Sequence, residues 1–134
     1  MVKKFTILLY AAAATTLIAG ILHLTKVVDT IGSGDVINNA DILFLVGGIA
    51  QVFWVVPIIR QWGKIWYSIG IAGTAVFMLL WIITRLPENP ITGRAGPISG
   101  EGIIIQIFQI AFIILSIIIL IKSTKAKNSR IKAT

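Results

Sequence analysis

The chain has 134 residues, of which 57% are hydrophobic and 13% charged, and its mean hydropathy is +0.94. Soluble domains use roughly 45–50% apolar and 25% charged residues, and so short a chain could not bury the surplus, which excludes a soluble globular fold. Twelve Lys and Arg against five Asp and Glu give a formal charge of +7, and the lack of cysteine removes disulfides, thiolate metal sites and Cys nucleophiles.

Four segments free of formal charge, 5–25, 42–59, 65–84 and 102–121, hold 18 to 21 residues each. About 20 residues at 1.5 Å rise cross a hydrocarbon core of roughly 30 Å. The first run follows Lys3 and Lys4 and contains small residues, as a signal peptide does. It exceeds the usual h-region of about 7–15 residues, and its small-residue cleavage sites lie inside the run, so a retained helix is expected. The predicted architecture is all-α: one membrane domain, a four-helix transmembrane bundle with helices over about 5–25, 41–60, 64–84 and 101–122 and a basic, disordered tail at 123–134.

Basic residues set the expected orientation. With both termini and the 60–64 turn on one side, that side carries nine of the 12 Lys and Arg: Lys3, Lys4, Arg60, Lys64, Lys122, Lys125, Lys127, Arg130 and Lys132. The other side carries Lys26, Arg85 and Arg94 with all five acids. Short loops rich in Lys and Arg stay cytoplasmic, so both termini are expected inside the cell membrane and the loops 26–41 and 85–101 outside. The same distribution, on a membrane chain, argues against nucleic acid as a partner.

Helix 1 is expected to end near Lys26, with Ala12, Thr16, Ala19 and His23 on one stripe. Helix 2 starts at Asn38 with Asp41 three residues on, a capping-box pattern, and shows Gly47, Gly48, Gln51 and Trp54 on its small or polar side. The turn 60–64 makes helices 2 and 3 antiparallel neighbours, and Trp62, Trp66 and Tyr67 read as an interfacial aromatic belt. On helix 3 the stripe is Gly70, Thr74, Phe77 and Trp81, with Gly70 and Gly73 expected to let backbones approach closely. Between Trp81 and Gly102 lies the one substantial loop, with Pro87, Pro90 and Pro97 and the glycines 93, 96, 100 and 102. Helix 4 is Ile-rich nearly all round, and Gln106, Gln109 and Ser116 mark its inward face.

The polar residues fall into two expected layers. Thr16, Gln51, Thr74 and Gln109 lie roughly 10–15 Å below the outer helix ends, and His23, Trp81, Arg85, Asp41, Glu101 and Gln106 within roughly the top 6 Å. Intramembrane polar groups mark substrate paths or serve as interhelical hydrogen bonds worth about 0.6 kcal/mol each. His23 is the sole histidine. A metal there would draw on Asp29, Asp41, Glu88 or Glu101, and a haem would lack a second His, so neither metal nor cofactor is expected. Arg85 and Glu101, at the end of helix 3 and the start of helix 4, are expected to pair across the loop, with His23 and Trp81 close by. No nucleotide loop, hydrolase triad context, HExxH or GxGxxG is present.

The elements His23-Leu24, Leu43-Phe44-Leu45 through Gly48-Ile49-Ala50-Gln51, Trp81-x-x-Thr84-Arg85, and Pro90-x-x-Gly93 through Gly96-Pro97 to Glu101-Gly102 span roughly residues 23–102. In these the chain resembles a group of small four-helix membrane proteins of archaea and actinobacteria with no assigned activity. The resemblance implies the bundle and its Pro/Gly-rich outer loop and brings no catalytic motif. Many members carry a second acid or His beside the first-helix histidine, where this chain has Thr25-Lys26.

The expected function is a non-enzymatic membrane component, an accessory or interaction subunit. Its ligand or interaction residues would be His23, Gln51, Trp81, Arg85, Glu101, Gln106 and Gln109, and its partners the lipid bilayer with another protein or a second copy. The alternative is a small oligomeric transporter or channel through the Thr16, Gln51, Thr74, Gln109 layer. A redox subunit with a cofactor near His23 is the third reading.

Overall fold

The structure, a computed structural model, describes residues 2–134. It contains four helices: α1 (Val2–Ser33), α2 (Asn39–Ile59), α3 (Lys64–Ile83) and α4 (Gly100–Ala133). All four are long and apolar enough to cross a membrane. They form an up-down-up-down ring in which α1 packs on α2 and α4, and α3 closes the ring against α4 and α2. Both termini and the 60–63 turn therefore share one end, called here the termini end. The 34–38 and 84–99 connections share the other, the loop end. The outward faces are apolar, with Ile42, Val46, Ile49 and Phe53 exposed on α2 and Ile103, Ile107, Ile110 and Ile114 on α4. A soluble protein does not expose such continuous apolar faces, whereas lipid solvates them.

The stripe on α1 is buried along its length: Ala12, Thr16, Ala19 and His23 are each 5% exposed or less. The tightest seam is α1 against α2. A Cβ on Gly20 would meet the Gly48 carbonyl oxygen at 2.9 Å, and one on Gly48 would meet Leu24 Cγ at 2.7 Å. Across this seam the Thr16 hydroxyl donates to the Gln51 carbonyl (3.0 Å) and the Thr30 hydroxyl to the Asp41 carboxylate (3.0 Å). Small residues and hydroxyls hold membrane helices together because lipid supplies no hydrophobic drive between them.

Four expectations are corrected. Helix 1 does not end near Lys26. It continues to Ser33, because no proline intervenes, and closes there with Gly34 at φ +74°, its N–H and that of Asp35 returning to the Ile31 and Thr30 carbonyls. Residues 123–134 are not a disordered tail: α4 runs to Ala133, since the stretch after Gly102 lacks Pro and Gly and its last turns hold the helix formers Lys125, Ala126, Lys127, Arg130, Lys132 and Ala133. Gly70 and Gly73 do not bring backbones together. The Trp54 indole fills the notch at Gly70, and a Cβ on Gly73 would touch nothing within 4 Å. Tyr67 is not a belt residue. It is 4% exposed and donates its hydroxyl to the Ile58 carbonyl at 3.0 Å, satisfying a carbonyl at the α2 end.

The apolar core sits toward the termini end, where Leu9, Ala12, Ala13, Ile58, Tyr67, Phe112 and Ile119 form one cluster. The polar side chains gather toward the loop end.

Candidate functional site

The 84–99 connection is folded around one buried side chain, Asn89. Its amide nitrogen donates to the Leu86 and Arg94 carbonyls (2.9 Å each), and its oxygen accepts from the backbone N–H of Ile91 (3.1 Å) and Thr92 (2.8 Å). This is a local Asx-type turn network, which Asn before Pro90 favours. The Gly96 N–H donates to the Thr84 carbonyl at 2.8 Å, closing the open end of α3. The Asn39 amide donates to the Ile91 carbonyl at 2.8 Å and ties the loop to the start of α2. The loop is thus a fixed roof.

Beneath it lies a cleft of about 670 Å³ whose walls include Lys26, Asp41, Phe44, Arg85, Arg94 and Ser99. All three cations of the loop end line it. The sequence separates them by tens of residues, and α1, α3 and the loop bring them to one space. The acid in the wall, Asp41, is already engaged: one oxygen accepts from Thr30 and the other from the Asn38 N–H at 2.9 Å, the capping box expected at the start of α2.

Arg85 is not paired with Glu101. Its guanidinium lies 4.7 Å from the Trp81 ring centre and donates to the Thr84 hydroxyl at 2.9 Å. Partial burial lowers the Arg85 pKa, the cause being desolvation, but an arginine stays charged at any physiological pH. A Cβ on Gly96 would meet Arg85 Nη1 at 2.8 Å, so a side chain there would push the guanidinium out of place. Glu101 instead forms an ion pair with Lys26, the only one among the described residues. The packing of α1 against α4 sets Lys26 beside the first turn of α4. Ser99 caps that turn, its hydroxyl accepting from the Gly102 N–H at 3.1 Å.

His23 is buried between the helices near the loop end, beside Ala40, Phe44, Trp81 and Thr84. Gln109 Nε2 donates to His23 Nε2 at 3.1 Å, and the imidazole stacks on Phe44 with ring centres 5.5 Å apart. Gln109 thereby leaves the layer assigned to it, while Thr16, Gln51 and Thr74 stay together around a pit of about 90 Å³. Gln106 is half-buried on α4. Trp81 lies against Gly102 and under Arg85, and with His23 lines a smaller pit of about 20 Å³. Among the described residues, no three of His, Asp and Glu converge on a point where a metal ion could sit.

The structure therefore separates the seven candidates. Arg85 and Trp81 belong to the cleft region, Glu101 to its rim pair, His23 and Gln109 to an interior contact, Gln51 to the lower pit, and Gln106 stands half-buried on α4 with its buried amide nitrogen unpartnered. Arg94, Lys26 and Asn89 were not among them. Asn89-Pro90 is the one readable signal for the last; nothing in the sequence marks Arg94 as part of the cleft wall. Compared with family models, curated proteins and solved structures, the chain matches none.

Proposed function

We propose that this multi-pass membrane protein is a non-enzymatic component of the cell membrane, an accessory or interaction subunit, whose working part is an anion-receiving cleft under the loop. One observation carries the reading: Lys26, Arg85 and Arg94 line a single cleft of about 670 Å³. Arg85 and Arg94 have no acid partner among the described residues. That volume falls within the roughly 300–1,000 Å³ of small-ligand sites. The starts of α2 and α4, with their positive dipole ends, adjoin the same space.

The test is thermal stability in mild detergent. Millimolar glycerol 3-phosphate should raise the Tm of the wild-type protein, and Arg85→Gln/Arg94→Gln should abolish the rise. No rise for the wild type would sink the anion reading. Native mass measurement in the same detergent reports the subunit role, which a lone monomer would contradict. The orientation belongs to the same proposal, with both termini cytoplasmic and the cleft outside. A single cysteine at Ser99 should react with an impermeant thiol reagent on intact cells, and one at Ser129 should not.

A further inference from the structure

The cleft is continued downward by the α2–α3 seam. These two helices meet through aromatic wedges, Phe77 against Gly47 and Trp54 against Gly70, instead of backbone to backbone. The wedges leave two shallow pits. The upper, about 20 Å³, shares Ala40, Phe44 and Thr84 with the cleft, and the lower, about 90 Å³, shares Phe77 with the upper. Thr84 and Gly73 mark the length of this furrow, roughly 16 Å along α3. Its walls are mostly Ala, Leu, Phe, Trp and Gly, and at its edge Ile69 is 49% exposed. The furrow therefore runs from a cationic cleft onto the face of the bundle that lipid solvates.

We propose that the cleft and furrow together form a site for one bilayer phospholipid with an anionic head. The head phosphate sits between Arg85 and Arg94, and one acyl chain lies down the seam between α2 and α3 to the pit beside Gly73. This rests on the anion reading above and adds the tail. A soluble anion would need the cleft alone and gives the furrow no purpose. A zwitterionic head carries its own cation, which Arg85 and Arg94, without acid partners, repel.

Gly73 makes the tail testable without unfolding the protein. A Cβ there meets nothing within 4 Å, so a side chain at Gly73, as in Gly73→Leu, starts into the open space of the pit. The experiment titrates the purified full chain, in mild detergent, with lysophosphatidylglycerol, lysophosphatidylcholine and glycerol 3-phosphate, reading bound adduct by native mass and Tm in parallel. Wild-type protein should retain lysophosphatidylglycerol in preference to lysophosphatidylcholine. Arg85→Gln/Arg94→Gln should weaken lysophosphatidylglycerol roughly 25-fold, at about 1 kcal/mol per cation and 1.4 kcal/mol per decade. Gly73→Leu should keep the wild-type Tm and the glycerol 3-phosphate response, and weaken lysophosphatidylglycerol roughly threefold through lost chain contacts.

Equal retention of the two lysolipids, or no binding by any probe, would overturn the site together with the anion reading. If glycerol 3-phosphate acts as strongly as lysophosphatidylglycerol and Gly73→Leu changes nothing, the tail is overturned and the anionic cleft stands.

Discussion

Toward the termini the bundle is closed by Leu9, Ala12, Ile58, Tyr67, Phe112 and Ile119, each at most 5% exposed. Toward the loop the same four helices enclose His23, Gln109, Asp41 and Thr84, and the three cations line the open cleft there. The first region holds two buried hydroxyls: that of Tyr67 donates to the Ile58 carbonyl, and that of Ser116, between Phe112 and Ile119 on α4, has no protein partner. In the second, polar side chains are only partly paired: the buried His23 Nδ1, Gln109 Oε1 and Arg85 Nε have no protein partner. In a bilayer such groups are costly and often functional. The termini half thus holds the fold, and the loop half holds the candidate site.

Breaking that division should cost most at the apolar end. Phe112, 1% exposed, should lose about 3–5 kcal/mol as Phe112→Ala by leaving a cavity. A detergent melt that places Trp81→Ala above it would reverse the division of labour. Next comes the α1–α2 seam: Gly48→Leu must displace Leu24 and the Gly20 carbonyl and should cost at least about 1–3 kcal/mol. An unchanged Tm would mean the seam is looser than its geometry.

Asn89→Ala should cost about 1–3 kcal/mol, felt in the loop alone, since it removes the partner of several backbone groups. Hydrogen exchange should rise across 86–96 while α1 and α4 keep their protection; exchange spreading into α1 would show the roof to be part of the core. The rim pair is smaller. Lys26 and Glu101 side chains are 30% and 36% exposed, so Glu101→Gln should cost about 0–1 kcal/mol. A double-mutant cycle should couple Glu101 to Lys26 and show Arg85→Ala and Glu101→Ala to be additive. Coupling to Arg85 would restore the pairing the sequence suggested. Gly73→Leu should be close to silent in stability, and a large loss there would mean the α2–α3 furrow is closed.

Four apolar runs, their antiparallel order and the inward stripes could be read directly, because lipid forces each span to satisfy its own backbone and leaves side-chain polarity as the record of what faces inward. Ala12, Thr16, Ala19 and His23 on α1 and Gln109 and Ser116 on α4 follow from that rule. So does the Asn38–Asp41 cap, whose partners are three residues apart. The length of α1 did not follow, since a charge at Lys26 ends an apolar run without ending a helix. The partner of Glu101 did not follow either, because Lys26 and Arg85 both stand at the loop end and nothing in their spacing says which of them reaches it. Tertiary structure alone decided that Lys26 reaches Glu101, that Trp54 and not a backbone fills Gly70, and that Arg85 and Arg94 share a cleft. These contacts join positions whose spacing in the chain carries no period, and they depend on how far each helix extends and which side chain wedges the seam between neighbours.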